Sequence, residues 1–282
     1  MISKVRKKLT YKAYRKLIYS EELRDAYLDS SICGNRLNGK TVLITGATGG
    51  IGTAIALRYI REECNVVLAG RNKEKLEESR EYLRKKTGSE RIRCIVINQC
   101  DKESIDLAID ELRKTEGFID ILVNNAGVYT DVDKQRRFRN VTEEEFMAVW
   151  KTNFEGTAYL TRLVADEMKK RAKEGCVVNI ASICAEFRNY QYTPYGISKS
   201  AIVAITKEMR KVYDTITFVC IEPGSVATNM GNLKVGDNIA KGCNTLSHPA
   251  LPEEIAAQVA FFSCGFGRYI REEIVASACE TL

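Results

Sequence analysis

The sequence predicts an α/β fold, a single-domain, doubly wound, seven-stranded parallel sheet with helices on both faces, preceded by an N-terminal helical extension. Three observations carry this expectation. From residue 40 onward, short apolar runs alternate with longer segments of helical period. The first run ends in a glycine-rich turn that opens directly into a helical stretch. Nothing from residue 39 to 282 reads as a linker, a repeat or a low-complexity segment, so one domain of about 240 residues is expected there.

The strand candidates, in order, are Thr41–Thr45, Asn65–Ala69, Ile92–Ile97, Ile119–Val123, Cys176–Ala181, Ile216–Ile221 and Glu272–Ala276. A run such as KTVLIT lacks polar alternation, which suits a strand covered on both faces. Strands separated by helical segments imply right-handed crossovers and hence parallel pairing. Between the second and third runs, Lys73–Lys86 has a narrow apolar stripe on a charged background, the pattern of a solvated helix.

Residues 1–38 differ in composition. They hold nine Lys/Arg against four Asp/Glu, which accounts for +5 of the chain's net +6 and leaves the body nearly neutral. Whole-chain basicity therefore gives no argument for nucleic acid. Val5, Leu9, Leu17, Ile18, Leu23, Tyr27 and Leu28 are spaced for one or two amphipathic helices. The leading expectation is that this extension docks on the body or on a partner subunit. A peripheral contact of residues 1–30 with a membrane surface or an acidic partner, and disorder of the extension, are the alternatives.

The chain has 282 residues, 45% hydrophobic and 28% charged, with a mean hydropathy of −0.23. It contains no apolar run of about 18 residues, the length a membrane-spanning helix needs. The basic start lacks the apolar stretch and small-residue cleavage site of a secretory leader, so a cytoplasmic location is expected. Ten scattered cysteines without a CxxC pair, and one histidine, His248, make a poor zinc framework. Reduced thiols and no metal are expected, with His248 in a loop and outside the chemistry.

The glycine-rich turn reads Thr45-Gly46-Ala47-Thr48-Gly49-Gly50-Ile51-Gly52. Such a turn lets the backbone approach a pyrophosphate, and the helix that follows presents free N–H groups and a positive dipole end. In this position it marks a Rossmann-type dinucleotide site. Where an NAD site places an acidic residue after the second strand, this chain has Arg71-Asn72. A guanidinium suits a 2′-phosphate, so NADP(H) is favoured over NAD(H).

Farther on stand Asn124-Asn125-Ala126-Gly127, Asn153, Ser182, Tyr195 and Lys199. Tyr195 and Lys199 are four residues apart and share a helix face. An ammonium near a phenol is expected to lower the phenol's pKa and make it a usable general acid or base.

With these motifs in this order, residues 40 to about 276 resemble the short-chain dehydrogenase/reductases, in the single-domain branch with a TGxxxGxG turn. The match consists of Thr45–Gly52, the NNAG at 124–127, Asn153 in WKTNFEG, and Ser182 thirteen residues before Tyr195. Tyr195-x-x-x-Lys199 and Pro223-Gly224 with Thr228 complete it. The resemblance implies that Tyr195 exchanges a proton with a carbonyl oxygen, that Ser182 positions that oxygen, and that Lys199 holds the nicotinamide ribose. It implies that Asn153 kinks its helix and holds a water. It also implies that Thr45, Gly46, Thr48, Gly49, Gly50, Ile51, Gly52, Asn125, Ala126 and Gly127 lie along the cofactor. Pro223, Gly224, Val226 and Thr228 would meet the nicotinamide end.

Two departures from the family pattern stand out. Asn98 occupies the place of an aspartate that accepts from the adenine amino group, and an amide oxygen can still accept there. Ser277-Ala278-Cys279 replaces the usual glycine pair near the C-terminus. A homo-oligomer, dimer or tetramer, is still expected. Substrate choice is expected to sit in the loop from Val226 to Leu251 and in the stretch after NNAG, with Arg136, Arg137 and Arg139. Cys184 and Phe187 are candidate pocket residues.

The resulting expectation is an NADP(H)-dependent oxidoreductase acting on a carbonyl or secondary alcohol. The substrate would be a 3-oxoacyl thioester or a small ketone, sugar or polyol. The rival is a non-catalytic NADP(H)-binding sensor or scaffold working through the N-terminal helices. The presence of Asn153, Ser182, Tyr195 and Lys199 weighs against that rival. An extended, epimerase-type relative is disfavoured by the turn spacing and by the lack of a separate substrate domain.

Overall fold

The computed structural model describes Asp25, Leu28 and residues 33–129, 140–171, 174–186, 193–231 and 249–265. Its strands are β1 (Thr41–Thr45), β2 (Asn65–Gly70), β3 (Ile92–Val96), β4 (Ile121–Asn124), β5 (Gly175–Ile180) and β6 (Ile216–Ile221). They form one parallel sheet in the order β3-β2-β1-β4-β5-β6. The run Glu272–Ala276, expected as a seventh strand, lies outside the described residues, as do Arg136, Arg137, Arg139, Phe187, His248 and Ser277-Ala278-Cys279.

β4 begins two residues later than the apolar run suggests. Asp120 precedes it, and its carboxylate accepts from the Thr41 backbone N–H at 2.9 Å and pairs with Lys40 at 3.2 Å. The ladder to β1 then starts at Val42 opposite Ile121.

Seven α-helices are described: α1 (Gly50–Arg61), α2 (Lys73–Thr87), α3 (Lys102–Thr115), α4 (Glu143–Trp150), α5 (Gly156–Lys170), α6 (Thr193–Val212) and α7 (Pro252–Ser263). Local chemistry sets several of their ends. The Asn72 side chain accepts from Lys75 N at 2.7 Å and starts α2, and Gly88, with φ +70°, stops it. Thr142 and Glu145 make a reciprocal capping box at the start of α4. Between α4 and α5 the chain makes one π-turn, Lys151–Glu155.

β1 is buried at every position, because alternate side chains feed two separate cores. Val42 and Ile44 join a cluster with Ile55, Tyr59 and the α7 residues Ile255 and Val259. Leu43 joins the opposite cluster with Ile105, Ile109, Leu160 and Val164 of α3 and α5. Leu28, Cys33 and Leu37 belong to the first cluster, and Arg61 pairs with Asp25 at 3.3 Å. The described part of the N-terminal extension thus packs against the body.

Candidate active site

A cleft of about 700 Å³ runs along the C-terminal ends of the strands, from the glycine turn and Arg71 to Ser182, Tyr195 and Lys199. It opens at the switch point of the sheet, where β1 lies between β2 and β4. Thr45 and Asn125 lock the two strand ends together there. Thr45 Oγ1 accepts from the backbone N–H groups of Asn125 and Ala126, both at 3.1 Å. The Asn125 amide donates to the carbonyls of Thr45 and Gly46 at 3.1 and 3.0 Å.

Glycine is required in this turn by contact as well as by conformation. Gly46 has φ +62°, and a Cβ on it would stand 2.7 Å from Ala126 Cα. A Cβ on Gly52 would stand 2.3 Å from the Gly46 carbonyl oxygen. The first turn of α1 can therefore sit tightly over β1 and turn its free N–H groups into the cleft. Thr48, Gly49, Gly50 and Ile51 line it. These features fit a dinucleotide: a backbone cradle for the pyrophosphate and a cleft long enough to continue to Tyr195.

Arg71 is exposed at the end of β2 and lines the same cleft. After β3, Ile97 and Gln99 line it, whereas Asn98 does not. The Asn98 Oδ1 accepts from Cys100 N at 3.2 Å, and its N–H donates to Ser104 Oγ at 3.0 Å. Its amide thus closes a local turn. At the other end, Pro223, Gly224, Val226 and Thr228 all line the cleft, and a Cβ on Gly50 would meet Thr228 Cγ2 at 2.8 Å.

The proton-handling side chains come from three elements. Tyr195 and Lys199 lie one turn apart on α6, with Lys199 Nζ 5.6 Å from the centre of the Tyr195 ring. Nζ donates to the Ile180 carbonyl at 2.7 Å, which ties it to the end of β5. Ser182 caps the short turn after β5 by accepting from Cys184 N at 3.2 Å, and it hydrogen-bonds Tyr195.

Asn153 sits in the π-turn, 1% exposed and behind the cleft wall. Its carboxamide accepts from the Val128 N–H and donates to the Val128 carbonyl, both at 2.8 Å, and donates to Ser198 Oγ at 3.0 Å. Ser198 passes the link to the Tyr195 carbonyl at 2.7 Å. The π-turn is what aims Asn153 at both partners, a common use of such bulges.

Below these groups, a buried polar chain crosses the sheet. Asn124 donates to Thr161 of α5 and to Asn179 of β5, both at 2.7 Å. Asn179 in turn donates to Thr206 of α6 at 2.8 Å. It fixes α5 and α6 at the height of the site.

Burial governs the electrostatics. It pushes the Tyr195 phenol well above its usual pKa, with Cys184 adding to the rise and the Ser182 hydrogen bond opposing it. Burial also pulls the Lys199 ammonium down to about 8. The sequence-based expectation of a phenol lowered by Lys199 is therefore not met in this structure, because desolvation is the largest influence on Tyr195 and acts upward.

Tyr129 and Met230 also line the cleft; the sequence places substrate choice in the loop that holds Met230 and in the stretch after NNAG, without singling out either residue. No motif marks them, since they meet only once the β4 and β6 loops are brought together. Among the described residues no group of three or more His, Cys, Asp or Glu is placed to hold a metal ion, and all eight described cysteines are free thiols. No described helix is long and apolar enough to cross a membrane.

The family model for short chain dehydrogenases matches residues 40–238, and the chain belongs to that family of NAD(P)-dependent oxidoreductases. The oxidoreductase UcpA of Salmonella typhimurium is 34% identical over 230 residues, covering 80% of each chain. The 3-oxoacyl-[acyl-carrier-protein] reductase FabG of Thermotoga maritima is 29% identical over 244 residues, covering 85% of this chain and 96% of the relative. The 3-ketoacyl-(acyl-carrier-protein) reductase of Brucella melitensis, solved with NADH, shares the fold with a TM-score of 0.75. It is 23% identical, with 86% of this chain and 98% of that one covered.

Proposed function

We propose that this protein is an NADP(H)-dependent reductase of carbonyl compounds, or in reverse a dehydrogenase of secondary alcohols, with Tyr195 as the proton donor and acceptor. The observation that carries the proposal is the continuity of the cleft. The glycine cradle and Arg71 stand at one end, and Tyr195, Ser182 and Lys199 converge at the other. A bound dihydronicotinamide supplies hydride to the carbonyl carbon, and the chain's own task is the proton. Tyr195 stays protonated at neutral pH, so its Oη is the group that delivers a proton to the carbonyl oxygen. Ser182 hydrogen-bonds that oxygen and fixes its distance from Oη. Lys199 holds its charge beside the Tyr195 ring and balances the phenolate that forms. Asn153, through Val128 and Ser198, holds the loop after β4 and the α6 helix around the pair.

The preference for NADP(H) rests on Arg71, an exposed guanidinium at the end of β2. A 3-oxoacyl thioester is the substrate class that the Thermotoga relative suggests, and small ketones, sugars or polyols suit the same chemistry.

The test is a fluorescence titration of the protein with NADPH and NADH, followed by NADPH oxidation with a carbonyl panel. NADPH is expected to bind more tightly. Arg71→Ala is expected to weaken NADPH by about tenfold or more while changing NADH by less than about twofold, the scale of one charge-assisted contact. Equal losses for both cofactors would remove Arg71 from the 2′-phosphate. Absence of NADPH oxidation with every carbonyl would overturn the reductase reading.

A further inference from the structure

We propose that Tyr129 is the specificity-determining residue at the substrate end of the cleft, a size filter that spans the mouth over Tyr195. The inference rests on the reductase reading for its substrate but on geometry for its existence. Tyr129 follows Val128, whose N–H and carbonyl are both held by Asn153, so its backbone is anchored to the π-turn. From that anchor the ring stands edge-on to the Tyr195 ring, with centroids 6.3 Å apart and planes at 75°. Its hydroxyl then donates to the main-chain carbonyl of Met230, in the short turn Asn229–Gly231 after β6.

One side chain therefore ties the loop after β4 to the loop after β6. Cys184, from the turn after β5, lines the cleft with them. Among the described residues, these three stand beside Tyr195 at the substrate end of the cleft, where a carbonyl approaches its hydroxyl. An edge-to-face aromatic contact and a hydrogen bond to a backbone carbonyl are each modest and directional. Together they hold a barrier that yields to a slender substrate more readily than to a bulky one. A planar or branched group next to the carbonyl has to displace the ring, whereas a straight chain can pass beside it.

Cys184 provides a readout that needs no turnover. The experiment alkylates the full-length protein with N-ethylmaleimide and follows each cysteine by peptide mass spectrometry, in wild type, Tyr129→Phe and Tyr129→Ala. Cys100, exposed at the start of α3, is the internal reference. Cys184 is expected to react about fivefold faster or more in Tyr129→Ala and by an intermediate factor in Tyr129→Phe, with Cys100 unchanged. In parallel, the ratio of kcat/KM for a bulky aryl ketone to that for a small aliphatic ketone is expected to rise about tenfold in Tyr129→Ala, with the NADPH Kd unchanged.

Equal Cys184 rates in the three proteins would overturn the filter, and Tyr129→Phe, which keeps the ring, guards against a misfolded alanine variant. Faster Cys184 labelling without NADPH turnover on any carbonyl, wild type included, would leave the filter standing and remove the reductase reading instead.

Discussion

Along β1–β3 the cleft owes its shape to glycine and backbone, whereas along β4–β6 it owes its shape to polar side chains held below the surface. On the first side, Gly46 and Gly52 let α1 and the β4 loop come within distances that no Cβ would tolerate, and the cradle offers main-chain N–H groups. On the second, Asn153, Asn124, Asn179, Thr161 and Thr206 are all 4% exposed or less and bonded to one another's elements. The backbone half recognises a feature common to all dinucleotides, and a shape suffices. The side-chain half must place a proton to within a hydrogen-bond length, which takes groups whose own rotamers are fixed.

That contrast predicts separable failures. Tyr195→Phe removes one oxygen from the side-chain half. It is expected to lower kcat by about 10²–10⁴-fold, the contribution of a positioned general acid. The NADPH Kd should stay within about twofold of wild type in the same preparation. Retained turnover would end the assignment of Tyr195 as proton donor. Gly52→Ala should do the opposite. A methyl 2.3 Å from the Gly46 carbonyl forces the turn and the helix apart, at a cost of about 1–3 kcal/mol in stability. Nucleotide affinity is expected to fall by at least about tenfold. An alanine variant with wild-type affinity and Tm would show that the turn relaxes more easily than its contacts imply.

The titration of Lys199 sharpens the side-chain half further. Its ammonium is the favoured form only below about pH 8, because burial disfavours the charge. As pH rises through 8 the charge beside Tyr195 is lost, so kcat/KM for carbonyl reduction should fall about tenfold per pH unit above that midpoint. Lys199→Arg, which keeps its charge throughout, should lack this limb at whatever activity it retains. A flat wild-type profile to about pH 9.5 would show that the ammonium is not required.

The two halves also differ in how much of them can be read from the chain. The cradle is local: Thr45 to Gly52 is one stretch, and all of it but the buried Ala47 lines the cleft. β1 and β6 coincide with their apolar runs to the residue, because both faces of each strand are covered. The side-chain half is assembled from distant segments. Asn179 sits inside the apolar run CVVNIA, and nothing there announces a bond to Thr206 or Asn124. Tyr129 and Met230 are 101 residues apart. The direction of the Tyr195 shift was not legible either, since spacing shows a neighbouring charge but not the desolvation that outweighs it. After β3, register with the family pattern singles out Asn98, while the cleft wall is made by its neighbours Ile97 and Gln99.

Glu222 offers the smallest test and a flaw in the side-chain half. It follows β6 directly, next to Pro223, and is fully buried. Among the described residues, both of its carboxylate oxygens lack a hydrogen-bond partner. Burial, reinforced by Glu186 and opposed by Lys207, raises its pKa to about 7. The folded state therefore binds a proton that the unfolded chain releases near pH 4.5, and stability must fall as pH rises from there through 7. Well above pH 7 the loss is complete, about 3 kcal/mol. Glu222→Gln keeps the shape and cannot ionise. It should match wild type in Tm at pH 4.5 and exceed it by about 6–12 °C at pH 8. If the glutamine variant is no more stable than wild type at pH 8, the buried carboxylate is carrying its charge at no cost. The polar groups of the β4–β6 half would then be better solvated than their burial implies.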